Sequence, residues 1–200
     1  MHRTALALAG ALFLLYPALR PWTDETTTAG AREAMGSTAW VVAHFVAMVG
    51  FVLVPLGLLG LRDTIGLRPV VVVWVGAGLT LPYYGAEDFG LHAAAATRGT
   101  NLLAVAEATR YNPVAITTFG VGLVTLAVGA VLVAVALWRS EAPSKYAAMV
   151  FAAGFVLFLP QFFTPAPVRI AHGVLMLAGL GWLAVTARAR VPRLSGQGAA

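Results

Sequence analysis

Two hundred residues, 60% of them hydrophobic and 10% charged, with a mean hydropathy of +0.83, exclude an ordinary soluble domain, in which about a quarter of residues are charged. They also exclude a disordered chain, which cannot carry so much apolar surface. With no cysteine there is no disulfide, thiolate chemistry, cysteine-ligated zinc or iron–sulfur cluster, and the net charge of +5 includes no basic block of the kind that binds nucleic acid.

Apolar runs mark six membrane-spanning helices, at 4–19, 38–61, 69–92, 113–138, 146–163 and 167–187. About 20 helical residues, rising about 1.5 Å each, cross the roughly 30 Å hydrocarbon core. The predicted fold is all-α: a polytopic membrane helix bundle, one domain over 1–193, followed by a disordered tail at 194–200.

The run 4–19 follows the basic start Met1-His2-Arg3, as a signal peptide would. Pro17-Ala18-Leu19-Arg20-Pro21-Trp22 then stands where a small-x-small cleavage site would be, so the run reads as a retained span. The connection 20–37 carries Thr23-Asp24-Glu25-Thr26-Thr27-Thr28, polar residues of the kind that start helices. Within the spans, Gly50, Gly57, Gly60, Gly76, Gly78, Gly122 and Gly129 are expected to let helices approach closely. Pro55, Pro82 and Pro160 are expected to kink or end helical segments. The connection 93–112 holds Asn101–Arg110, which reads as a short interfacial helix, and Trp22, Tyr111, Phe162 and Phe163 read as an interfacial aromatic belt.

Charge sets the orientation. With the N-terminus inside, Arg3, Arg62, Arg68, Arg139, Lys145, Arg188, Arg190 and Arg193 lie inside with Asp63 and Glu141. Arg20, Arg32, Arg98, Arg110 and Arg169 lie outside with Asp24, Glu25, Glu33 and Glu107. The excess predicts N-in, C-in topology in a cell (plasma or inner) membrane.

Glu87 and Asp88 are the only carboxylates inside the spans. A carboxylate there is costly and by default marks function. Tyr84, Asp88 and His92, spaced by four, are expected to share one helix face, with Glu87 turned away from it. His44 lies roughly 9 Å below the outer end of its span and His172 roughly 7–8 Å below the end of its own, while Glu87 sits roughly 27 Å up from the inner end of its span. Antiparallel alternation thus places imidazoles and carboxylates of three helices in one outer-leaflet layer. His44, His92, His172 and Asp88 would suit zinc, iron or copper. One or two of the histidines could instead hold haem b axially. Without a metal, Glu87 or Asp88 would serve as catalytic acid or base on a lipophilic substrate. Trp40, Tyr83, Tyr84, Tyr111, Asn112, Gln161 and Arg169 fall near the same level, and Arg169 is expected to pair with a carboxylate.

The segment Trp40-Val41-Val42-Ala43-His44, opening an apolar helix at its outer end, resembles the helix that supplies the haem ligand in styrene oxide isomerases. Those are small helical membrane enzymes with four spans, in which haem iron acts as a Lewis acid on an epoxide. The likeness covers about twenty residues and implies that a single histidine, His44, can suffice for such chemistry in a small bundle.

Three functional classes follow. The first is a membrane enzyme, of oxidoreductase or isomerase type, metal- or haem-dependent, acting on a small apolar or lipid-like molecule. The second is a proton- or ion-coupled transporter using Glu87 or Asp88 beside Pro82 and Gly85, which at this length would work as a homo-oligomer. The third is a structural or assembly protein. Membrane lipids and a lipophilic small molecule are the expected partners.

Overall fold

The computed structural model describes residues 1–186; the predicted tail at 194–200 and the basic residues Arg188, Arg190 and Arg193 lie outside the described residues. The elements in chain order are α1 (His2–Leu19), α2 (Thr28–Met35), α3 (Thr38–Leu58), α4 (Arg62–Ile65), α5 (Leu67–Gly85), α6 (Leu91–Ala96), α7 (Leu102–Arg110), α8 (Pro113–Arg139), α9 (Lys145–Val156) and α10 (Ala166–Thr186). Among the described residues there is no strand.

Six of these helices form a closed ring. α1 packs on α3 and α10, α3 on α5, α5 on α8, α8 on α9, and α9 on α10. Helices that follow one another through short connections end as antiparallel neighbours, and here the last also meets the first. α2, α6 and α7 are short and cover one end of the ring around Trp40 and Met35, where they share a small apolar cluster with Leu91 and Leu102.

Chain-end chemistry explains the covering helices. Thr27 caps α2 by accepting from the Gly30 N–H, and Asn101 caps α7 by accepting from that of Ala104. Both helix starts were legible in the polar stretches that precede them. Asp24 accepts from the backbone N–H and hydroxyl of Thr26, which closes the turn before α2; those two hydrogen bonds hold its carboxyl below the usual carboxylate range.

Five segments are long and apolar enough to cross a membrane: His2–Leu19, Thr38–Ile65, Leu67–Ala96, Pro113–Arg139 and Ala166–Thr186. The expected sixth span, 146–163, differs. Its α-helix stops at Val156, and a 3-10 turn over Pro160–Phe163 follows. Pro160 has no N–H to donate to the carbonyl of Val156, the last residue of the α-helix, so the α-helical ladder cannot continue through it. Hydropathy misses this break because Phe155 and Phe158 on either side of it both stay buried.

The ring interior is aromatic. Phe13 sits edge-on to Phe51, Phe155 and Phe158, with centroids 4.9, 6.0 and 5.7 Å apart, each such pair contributing about 0.5–1.5 kcal/mol beyond burial. The outward surface carries Phe45, Val52, Trp74, Val124, Met149 and Trp182, as a multi-pass membrane protein requires. Close backbone approach joins α5 to α8. A Cβ on Gly76 would lie 2.6 Å from the Leu126 nitrogen, and one on Gly122 would lie 3.0 Å from that of Thr80. Gly78 does not belong with them: nothing lies within 4 Å of its Cβ position, and it lines a shallow apolar groove with Trp74 and Leu81.

Candidate functional site

The chemistry gathers in the mouth of the ring, at the end where α1 finishes and α3, α8 and α10 begin. A cavity of about 460 Å³ opens there, within the range of small-molecule pockets. Every part of the ring contributes to its wall: Tyr16 from α1, His44 from α3, Tyr83 and Tyr84 from α5, Phe119 from α8, Phe162 from the turn after α9, and Arg169 from α10.

Glu87 lines this cavity from within a π-helical turn, Ala86–Gly90, that follows α5. It sits three and four residues beyond Tyr84 and Tyr83 and so shares their face. The expected Tyr84–Asp88–His92 stripe is therefore corrected: the cavity face is Tyr83, Tyr84 and Glu87. Arg110, at the end of α7, binds Glu87 with two hydrogen bonds, Nε–Oε1 at 2.6 Å and Nη2–Oε2 at 2.9 Å. The same guanidinium reaches Glu25 at 2.9 Å, and Glu25 also holds Arg20 at 2.5 Å. Burial works against the Arg110 charge, but the hydrogen bonds and charge of Glu87, then of Glu25, outweigh it and hold Arg110 above its ordinary pKa. The Trp40 indole N–H donates to the Glu87 carbonyl at 2.8 Å and fixes the π-turn against α3.

Tryptophans organise the remaining cations. The Arg20 guanidinium lies 4.7 Å from the Trp22 ring centre and 4.9 Å from that of Trp40. Arg169 lies 4.9 Å from Trp22 on its other flank and 5.1 Å from Phe162. Its Nε donates to the Gln161 side-chain oxygen at 3.1 Å. The expected carboxylate pairing of Arg169 is not found: among the described residues its side-chain hydrogen-bond partner is Gln161, and no carboxylate lies within 4 Å. Of the four aromatics expected in a belt, Tyr111, Phe162 and Phe163 line the mouth. Trp22 is held between the two arginines.

His44 is buried, its ring tilted by 38° against that of Trp40 at 4.3 Å and edge-on to Tyr16 at 5.3 Å. Its Nδ1 lies 2.8 Å from the Trp40 carbonyl oxygen. A carbonyl can only accept, so Nδ1 carries the proton and Nε2 keeps its lone pair, with no protein partner, in the cavity wall. Tyr84 is also buried in that wall, and among the described residues its hydroxyl has no hydrogen-bond partner; its ring meets the Tyr16 ring edge to face at 5.6 Å.

The structure does not bring the other expected ligands here. The His92 Nδ1 donates to the Met35 carbonyl and the His172 Nε2 to that of Gly154, each at 2.8 Å. His172 lies edge-on to Phe158, 5.2 Å away. Asp88 is fully buried outside the cavity wall and both its oxygens lack partners. Among the described residues no three histidine, aspartate or glutamate side chains come together as a metal would need, so the set His44, His92, His172 and Asp88 is not assembled. Each of the three imidazoles instead bonds a different backbone carbonyl, His44 that of Trp40, His92 that of Met35 and His172 that of Gly154. Asn112, expected beside the site, caps α8 by accepting from the N–H groups of Val114 and Ala115.

Sequence reasoning missed Tyr16, Arg20, Glu25 and Arg110 as partners in one network. Arg20 and Arg110 each flank an apolar run, which reads as topology; only the fold joins residues 85 positions apart. No known protein family, curated protein or solved structure matches the chain.

Proposed function

We propose that this chain is an integral membrane enzyme whose site is the mouth of the helical ring. Its substrate is a small apolar or lipid-like molecule that enters from the bilayer, and His44 is the base that meets it. The observation that carries this reading is the His44 imidazole, whose Nδ1 proton is committed to the Trp40 carbonyl while Nε2 is unpartnered in the cavity wall. Tautomer and ring orientation are thus set before any substrate arrives. Glu87, by contrast, is held by Arg110, and its role is to shape and charge the rim rather than to exchange protons.

The proposed orientation is N-in, C-in in the cell membrane, with the mouth on the extracytoplasmic side. The Lys/Arg count supports it, since eight basic residues fall at the end that would be cytoplasmic and five at the mouth end.

The test is turnover by the full chain in lipid nanodiscs, given a total lipid extract of its host membrane and followed by mass spectrometry. A component should be consumed by the wild-type chain, with at least a hundredfold loss in His44→Gln at an unchanged melting temperature. Equal turnover by His44→Gln overturns the assignment. Uptake without turnover, lost in Glu87→Gln, would be the behaviour of a carrier. The His44 lone pair is also what a haem iron would take as its axial ligand; a Soret band that disappears in His44→Gln would assign Nε2 to iron instead of to proton transfer.

A further inference from the structure

The mouth holds three arginines, Arg20, Arg110 and Arg169, and two glutamates, Glu25 and Glu87. Both carboxylates are used: Glu87 by Arg110, and Glu25 by Arg20 and Arg110. One positive charge is left over, and geometry places it on Arg169. That guanidinium is held between two aromatic rings and steadied through Nε by Gln161, which leaves its terminal nitrogens for a ligand. A second observation points the same way. The wall contains buried donors with nothing to bond to, the Tyr84 hydroxyl and the Arg20 Nε. A buried unpaired donor is costly, and an oxygen-bearing ligand that reached it would remove that cost. Below the charged rim the wall is apolar, formed by Ile116, Phe119, Leu159 and Phe162.

We propose that the mouth binds a single-tailed anionic amphiphile through one carboxylate. Arg169 takes the carboxylate as a planar, two-pronged partner, Tyr84 donates to the ligand's oxygen, and the tail lies against Phe119 and Phe162. One surplus cation matches one negative charge, which favours a monocarboxylate over a doubly charged phosphate head. This inference rests on the proposed function, since it names the class of molecule presented to His44.

The experiment is equilibrium binding to the full chain in nanodiscs, with empty nanodiscs as the baseline. The probes are decanoate, decanol and inorganic phosphate. Decanoate should bind at least tenfold more tightly than decanol, and inorganic phosphate should not bind. Arg169→Gln should lose at least tenfold for decanoate and nothing for decanol, Arg169→Lys should recover part of the loss, and Tyr84→Phe should lose severalfold without lowering the melting temperature. Equal binding of decanoate and decanol overturns the proposal, as does wild-type affinity in both Arg169→Gln and Tyr84→Phe. Binding of phosphate as tight as that of decanoate overturns it in favour of a free-anion site. The two readings fail separately: a failure of the His44 turnover assignment leaves the Arg169-dependent preference for decanoate over decanol intact, and equal binding of the two probes leaves His44 turnover intact.

Discussion

Glu87 accepts two hydrogen bonds from Arg110, while Asp88, the next residue, accepts none. Both are buried carboxyls, and intramembrane charge marked them equally in the sequence. Their environments now predict opposite behaviour. Arg110→Met removes one partner of a buried pair and leaves Glu87 without compensation; a loss of about 3–5 kcal/mol is expected, read as a lowered unfolding midpoint in detergent. Arg110→Met combined with Glu87→Met should regain most of that loss, because the orphaned charge goes with it. At Asp88 the expectation reverses. Asp88→Val replaces two unsatisfied oxygens with an apolar side chain of similar shape and should raise stability by about 1–3 kcal/mol in the same assay. A loss there would mean that Asp88 has a binding partner of its own. His44 shows what a linear reading can and cannot reach. Its depth below the end of α3 was legible from counting residues, and so was its isolation among apolar neighbours. The committed Nδ1 proton was not, because any histidine four residues after an exposed helical carbonyl could have turned away from it.

At the scale of elements, the legible parts are those governed by local chemistry. Thr27, Asn101 and Asn112 start their helices as their side chains dictate, and Pro82 and Pro160 each precede or open a departure from regular α-helix. The parts that escaped depend on register. Uniform helical spacing offers the tyrosine face both to Glu87, at i+3 from Tyr84 and i+4 from Tyr83, and to Asp88, at i+4 from Tyr84, and only the fold selects Glu87. The glycines divide in the same way. Composition alone treats Gly76, Gly78 and Gly122 alike, yet only the first and last face another backbone. Gly122→Val should push α5 from α8 and cost about 1–3 kcal/mol by overpacking, whereas Gly78→Ala meets nothing and should be neutral or slightly stabilising, through the better helix propensity of alanine. Thermal unfolding of the two variants in one detergent decides the matter; equal losses would mean that the α5–α8 approach does not limit stability.

The ring as a whole depends on α9. Its α-helical part, Lys145–Val156, has 12 residues and reaches only about 18 Å; the turn over Pro160–Phe163 carries the chain the rest of the way to the mouth, where Phe162, Phe163 and Arg169 meet the cavity. Arg3 ties the opposite end by donating to the Ala184 and Val185 carbonyls, where α10 closes. If this segment crosses, Pro165 shares a side with Thr26 and Thr97; if it does not, Pro165 shares a side with Glu141. The chain has no cysteine of its own, so single replacements report without background. Thr26→Cys, Thr97→Cys and Pro165→Cys, all at exposed positions, should react with a membrane-impermeant maleimide in intact cells. Asp63→Cys and Glu141→Cys, equally exposed, should react only after the membrane is opened. Labelling of Pro165→Cys together with Glu141→Cys would reduce the bundle to five crossings and separate Arg169 from Arg110 across the bilayer. Labelling of the whole pattern in reverse would keep the ring intact but turn its mouth toward the cytoplasm, where the anionic substrate would have to arrive from the inner leaflet.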